Sequence, residues 1–324
     1  MTPFSIATRK STMALAQAHL VAKSLREAVP GLEVALAESK PVGDRDQVSR
    51  LQQHGGKGGA FVSEIRADVL AGRSQCAMHS LKDMPGDEES PGLVIAAYMR
   101  RDEPTDSLVL RPGLTLAELT ADGGKGFRIG TNAVRRAAFL RELYPEIEII
   151  HFRGAADTRI RKLDAGEGQR MPDGSTTEPA DAILLATAGM ARIGASHRID
   201  MTFDVSDMLP AVGQGIVAVE CAETDWQTRD YLARIDDADA RACALAEREI
   251  LWVLNGHCNS PIAGHATLDG DTMKLDAVVL SLDGATILRS SATGEAKRCR
   301  ELGRDVGLAL LAQGAAALID AARL

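Results

Sequence analysis

Short alternating runs and longer amphipathic runs take turns along this chain. Phe4–Ala7 reads as a strand, and Thr8-Arg9-Lys10-Ser11 leads from it into a helix. Leu15, Ala18, Ala22, Leu25 and Val29 recur there at helical spacing, and Pro30-Gly31 ends the run. Leu32–Glu38 alternates like a strand. Gly55-Gly56-Lys57-Gly58-Gly59 opens a helix reaching Leu70, and Gln75–His79 and Leu93–Tyr98 are further strands. The charged stretch from Arg101 to Asp106 holds Pro104 and reads as a crossover, after which the pattern restarts. Strand Phe127–Ile129 meets Gly130-Thr131-Asn132 and a helix to Leu143, followed by strand Glu146–Phe152 and helix Asp157–Leu163. Strand Ala182–Ala186 and a helix to Ile193 close this half. Gly166–Ala180, rich in Gly, Pro, Ser and Thr, reads as an exposed insertion and not a functional loop. Such βα punctuation predicts an α/β fold in which helices cover mixed or parallel sheets.

A strand follows the glycine turn in Leu209-Pro-Ala-Val-Gly-Gln-Gly215. Past Thr224 the character changes: one helix to Leu254, a short polar connector, and three strands near 262–269, 272–281 and 286–293. A long Ala/Leu-rich helix then runs to the end. That pattern predicts a compact α+β module with an antiparallel meander.

The chain has 324 residues, room for two or three ordinary cores. Its net charge of −8 and 3% aromatic content disfavour nucleic acid as a partner, so an anionic ligand would need locally placed arginines. No apolar stretch resembles a signal peptide or is long enough to span a bilayer, which predicts a cytoplasmic protein with no membrane partner. Five scattered cysteines without a C-x-x-C pair predict reduced thiols.

Six arginines stand where such ligand contacts would be expected. Arg9, Arg135, Arg136, Arg153, Arg159 and Arg192 follow strands and lie at or near helix starts, the edge where α/β sheets bind ligands. Arginine there opposes the helix dipole unless an anion is present. Together they point to a polycarboxylate or phosphate site, because guanidinium forks match those groups bidentately. Read as surface residues, Arg135 and Arg136 are expected to be replaceable with little loss of stability.

Asp83, in His79-Ser80-Leu81-Lys82-Asp83-Met84-Pro85, falls on the same edge. Alone it reads as a turn residue paired with Lys82. Beside an arginine-rich cleft a carboxylate can stabilise a developing cation or shuttle protons. Cys258 sits in the connector Asn255–Pro261, where an accessible thiol does chemistry or carries a covalent group. The glycine-rich stretches lack the Lys-Ser/Thr of a P-loop. Cys76 and His79 point to opposite faces of a strand, so no metal site is expected.

In this order and spacing, several strings resemble the porphobilinogen deaminase (hydroxymethylbilane synthase) family over nearly the whole chain. They are Ile6-Ala-Thr-Arg9-Lys-Ser11, Gly55-Gly-Lys57-Gly, His79-Ser-Leu-Lys82-Asp83-Met-Pro85, Gly130-Thr with Arg135-Arg136, Arg153-Gly154, Thr158-Arg159, Leu209–Gly215 and Gly256-His-Cys258 with Pro261-Ile262. The resemblance implies two doubly wound lobes like type II periplasmic binding proteins plus a small C-terminal α+β domain. The implied domains are 1–102 with 204–221, then 103–203, then 222–324. It also implies a dipyrromethane cofactor held by a thioether at Cys258, and a monomer. The implied reaction condenses four porphobilinogen units with loss of ammonia, then hydrolyses the growing polypyrrole off as hydroxymethylbilane, a step towards heme. Asp83 would be catalytic. Arg9, Ser11, Lys57, Lys82, Arg135, Arg136, Arg153, Arg159 and Arg192 would contact cofactor and substrate carboxylates.

The chain departs from the family pattern in four places: an extra residue at Gly59-Ala60, Ala133 in place of Ser, Ala155 in place of Asn, and the stretch Gly166–Ala180. Two other readings compete. A non-catalytic two-lobed binding protein or sensor for organic carboxylates explains the arginines but neither Asp83 nor Cys258. An unrelated transferase with a cysteine nucleophile would use His257 as its base.

Overall fold

A computed structural model of the chain describes residues 3–39, 62–86, 90–171, 173–256 and 259–323. Strand β1 (Phe4–Arg9) runs into helix α1 (Thr12–Ala28), and β2 (Val34–Ser39) returns beside it. Ser11 caps α1, its Oγ accepting from the Ala14 amide. The helix buries Ala14, Ala18, Val21, Ala22 and Leu25 against the sheet. Next come α2 (Ser63–Leu70), β3 (Cys76–Ser80) and β4 (Leu93–Tyr98).

The second half begins with β5 (Asp106–Leu110), followed by α3 (Leu116–Thr120), β6 (Arg128–Gly130) and α4 (Val134–Leu143). It continues through β7 (Glu148–Ile150), α5 (Ala156–Asp164), β8 (Ala182–Ala186), α6 (Thr187–Arg192) and β9 (Met201–Thr202). The chain then returns as β10 (Val217–Ala222).

Among these residues the two sheets share one plan. The first has the order β2-β1-β3-β10-β4 and the second β7-β6-β8-β5-β9. In each, four strands run in one direction and the fourth in order, β10 or β5, is antiparallel to both its neighbours. Those fourth strands directly follow the two crossings, so each lobe is completed by chain arriving from the other. Separate apolar cores form over each sheet, around Ile6, Leu25 and Met78 in one and Ile129, Phe139 and Leu140 in the other.

The third unit holds α7 (Trp226–Ala233), α8 (Ala238–Leu254), the meander β11 (Ile262–Asp269), β12 (Thr272–Leu280) and β13 (Ile287–Glu295), then α9 (Cys299–Ala312) and α10 (Ala315–Ala321). Four local expectations are corrected. Asp106 is no crossover residue; it opens a fully buried strand. Two helices, not one, precede the connector. The final helix breaks at Gly314, whose φ of +98° turns the chain through 81°. Gly166–Ala180 is not wholly exposed, since Gln169 within it is only 2% exposed.

Candidate active site

The carboxyl ends of β1, β3, β6, β7 and β8 converge on one cleft between the lobes, with a volume of about 730 Å3. Arg9 leaves the end of β1, and Ser11 lies one turn on. Lys82 and Asp83 occupy a single 3-10 turn, Leu81–Asp83, just past β3. Across the cleft, Arg135 and Arg136 stand in the first turn of α4, Arg153 follows β7, and Arg159 lies in α5. Arg192 also lines the cleft, but it ends α6 and does not begin it, so the helix dipole favours its charge there. The structure thus brings together every candidate it describes. Lys57 and Cys258 lie outside the described residues, as does the glycine-rich stretch 55–59. Asn259, next in sequence to Cys258, lines the cleft with Ser260 and Ile262.

Eight cationic side chains face this space and Asp83 is the one carboxylate among the described lining residues, although the chain as a whole is acidic. The charges are ordered by groups that sequence reasoning missed. Asp106, wholly buried at the start of β5, accepts from Arg135 Nη2 at 2.6 Å, from Arg136 Nη2 at 2.7 Å and Nε at 3.0 Å. Burial alone would push its pKa up, but Arg135, Arg136 and Lys82 outweigh that and hold the carboxyl far below the usual carboxylate range. The two arginines are consequently 5% and 6% exposed, which corrects the reading of them as surface residues. Arg135 also donates to the Leu209 carbonyl and Arg136 to that of Leu184.

Gln214 links this cluster to the Leu81–Asp83 turn. Its Nε2 donates to Asp106 Oδ1 at 3.0 Å and to the carbonyls of Pro104 and Thr105, while its Oε1 accepts from Lys82 Nζ at 3.0 Å. Gly213 and Gly215 frame it with φ of +74° and +92°. A Cβ on Gly213 would meet Leu81 at 2.7 Å, and one on Gly215 the Asp102 carbonyl at 2.5 Å, so only glycine fits either side. The string Leu209–Gly215 carried this signal in its glycines; nothing near Asp106 marked its partners 29 and 30 residues away. Asp102, also missed, accepts from Arg192 Nε at 2.9 Å, and Arg192 Nη2 donates to the Gly215 carbonyl.

Two of the cations are disfavoured by their surroundings. Burial, then Arg136, lowers Lys82 to about 8. The same two causes push Arg159 down to about 9. A guanidinium remains protonated in a protein, so this push expresses how much Arg159 gains from an anion beside it. Its Nη1 reaches the Leu184 carbonyl at 3.3 Å, while the buried Nε has no hydrogen-bond partner among the described residues. An arriving carboxylate would satisfy it.

Two α/β lobes, each completed by a strand arriving from the other, flank a cationic cleft to which a third unit adds Asn259 and Ser260, and this defines a two-lobed protein with an anion-attracting cleft. Residues 4–230 match the family model for the dipyrromethane cofactor-binding domain of porphobilinogen deaminase, and residues 241–312 match that for its C-terminal domain. The chain belongs to the porphobilinogen deaminase family. It is 39% identical to the porphobilinogen deaminase of Syntrophobacter fumaroxidans over 97% of this chain and 96% of that one. The protein of that name from Xanthomonas campestris pv. campestris is 39% identical over 98% and 99%, and porphobilinogen deaminase 2 of Streptomyces coelicolor 39% over 97% and 96%. Among solved structures, the VFT2 domain of Bordetella pertussis BvgS is 12% identical, covering 71% of this chain and 85% of that one at a TM-score of 0.38, a loose likeness.

Proposed function

We propose that the chain condenses four porphobilinogen units stepwise onto a dipyrromethane, releases ammonia at each step, and hydrolyses the product to hydroxymethylbilane. The observation that carries this reading is the convergence of one carboxylate, Asp83, with cations from both lobes on a single cleft. The residues fit the cofactor: its acetate and propionate groups suit an array of arginines, and the orphaned Nε of Arg159 is a donor awaiting such a group. Arg9, Ser11, Lys82, Arg153 and Arg159 would hold the carboxylates of cofactor and incoming substrate, with Lys57 from outside the described residues. When bound, the cofactor supplies the terminal pyrrole carbon that is extended.

Arg135 and Arg136, already engaged by Asp106, would act through their remaining donors and the positive field they maintain. In each cycle the aminomethyl C–N bond of porphobilinogen breaks and ammonia leaves with the electron pair, so positive charge spreads over the substrate pyrrole. Asp83 would accept the hydrogen bond of that pyrrole N–H and stabilise the charge as it forms. Bond formation to the next pyrrole carbon then releases a proton, for which the Asp83 carboxylate is the acceptor at hand. The domains would be those expected from sequence, acting as a cytoplasmic monomer.

Attachment is assigned to Cys258. Three of the four described thiols are poor candidates, and the fourth, Cys299, is half-buried at the start of α9 and is not among the residues lining the cleft. Burial pushes Cys243 up to about 12 and Cys221 up to about 11, and Cys76 is raised well above its usual value, so these three are inert thiols at neutral pH. Intact-mass analysis after expression in a porphobilinogen-replete host should show an excess of two pyrrole units. Cys258→Ser should abolish it and Cys243→Ser should keep it. An unmodified chain, or an adduct on another thiol, contradicts the proposal. A two-lobed carboxylate sensor would explain the arginines but leaves Asp83 and the third unit without work.

A further inference from the structure

The stretch 166–180, extra to the family pattern, reaches the back of the cleft wall. Arg170 and Thr176 pair in an antiparallel bridge, and the Met171 amide donates to the Ser175 carbonyl. This small loop is clipped at its base through Gln169. The Gln169 amide donates to Thr177 Oγ1 at 2.9 Å, and its carbonyl accepts from the Thr177 amide at 2.9 Å. No Cβ fits at Gly168, where it would lie 2.0 Å from the Thr177 carbonyl. The result is a buried carboxamide at one place. Its Oε1 accepts from the Arg153 amide at 3.0 Å and from Lys162 Nζ at 3.1 Å, while Nε2 donates to the Arg170 carbonyl.

Arg153 follows β7 where the chain turns into α5. The preceding amide, Phe152, donates to Asn132 Oδ1 at 2.8 Å, so two consecutive amides are held by two carboxamides from different loops. Gly154 takes φ +132°, and Ala155 at the helix start has no side chain with which to cap α5. Local capping is therefore missing at the turn that aims Arg153 into the cleft, and Gln169 supplies the constraint from behind. We propose that Gln169 is a positioning residue for carboxylate recognition by Arg153, so that the insertion acts in substrate binding. This rests on the function proposed above.

The test uses the cofactor-loaded enzyme with porphobilinogen. Gln169→Leu removes the acceptor and should raise KM about tenfold, the value of one well-made charge-assisted contact, with kcat within about twofold. Gln169→Glu keeps an acceptor for the amide and for Lys162, and should restore a KM near that of wild type. In an Arg153→Gln background the effect of Gln169→Leu should largely vanish, because both changes remove the same contact. An unchanged KM in Gln169→Leu overturns the proposal, as does a KM rise that persists undiminished without Arg153. If Gln169→Leu does not fold, a raised KM in folded Gln169→Glu overturns it. Wild-type protein that carries no pyrrole adduct and consumes no porphobilinogen would overturn the underlying function instead, an outcome visible before any variant is compared.

Discussion

At the scale of single residues, the turn Leu81–Asp83 carries two different kinds of charge. Asp83 faces the cleft, where a carboxylate that stabilises charge only as it develops lowers the barrier without tightening the ground state. Asp83→Asn should cut kcat by about 100-fold or more in fully loaded enzyme, while Asp83→Glu keeps partial activity. Steady-state rates after a check of cofactor content decide this, and a near-normal Asp83→Asn would return Asp83 to the status of a turn residue. Lys82 is held near 8 against an ordinary value of 10.5, chiefly by burial. Between those two pH values the unfolded chain keeps a proton that the folded chain has released, so this group makes stability rise with pH across the window. Its effect on binding runs the other way. Above pH about 8 the empty cleft loses a cation, so KM for porphobilinogen should climb, and Lys82→Met should lack that climb. A flat wild-type profile through pH 9 would show that the Lys82 charge is not used.

At the scale of elements, α4 begins with two arginines where the helix dipole repels cations. The first residue of β5, not a ligand, resolves this conflict. Asp106 holds both guanidiniums, and Gln214 ties it to the Lys82 turn of the other lobe. Asp106→Asn would leave two buried cations partly uncompensated, so we expect a loss of about 3–5 kcal/mol in chemical denaturation. A loss below about 1 kcal/mol would mean the pair is not what secures α4. The depressed carboxyl gives the sign of the pH effect. Its contribution is complete at neutral pH and fades as pH falls below the ordinary carboxylate range. Gln169 belongs at this scale too: an insertion that reads as solvent-exposed loop pins the β7–α5 turn through one carboxamide.

At the scale of the whole molecule, one buried residue of the third unit engages both crossings. Glu247 of α8 is fully buried. It accepts from both terminal nitrogens of Arg101, from the Gly213 amide at 2.7 Å and from the Ala266 amide at 2.8 Å. A single carboxylate therefore joins the segment after β4, the glycine turn before β10 and strand β11. The connector that holds Cys258 leaves the end of this same helix at Asn255, whose φ of +48° stops it. Glu247→Gln should cost about 3–5 kcal/mol by leaving Arg101 without its counter-charge, and should lower the fraction of chains carrying the pyrrole adduct. Denaturation and intact mass on the same preparation check both. Full loading in Glu247→Gln would show that docking does not position the connector.

Hydrophobic period and turn residues are local properties, and they determined the alternation of strands and helices, the edge on which Arg9, Asp83 and Arg153 fall, and the change to an antiparallel meander after Thr224. The motif strings belong to the same local level, which is why the family and its candidate residues could be read before any fold was known. Tertiary structure alone decided what those charges rest on. Arg135 and Arg136 read as surface residues because their partner lies 29 and 30 positions away, on a strand that joins its sheet only after the chain has crossed between lobes. Gln169 and Glu247 are similarly unmarked, since a buried polar group is defined by neighbours brought in from distant segments. Spacing along a chain records which face a residue takes; it does not record which unpaired donor a buried oxygen will meet, because that depends on the packing of elements that never touch in sequence.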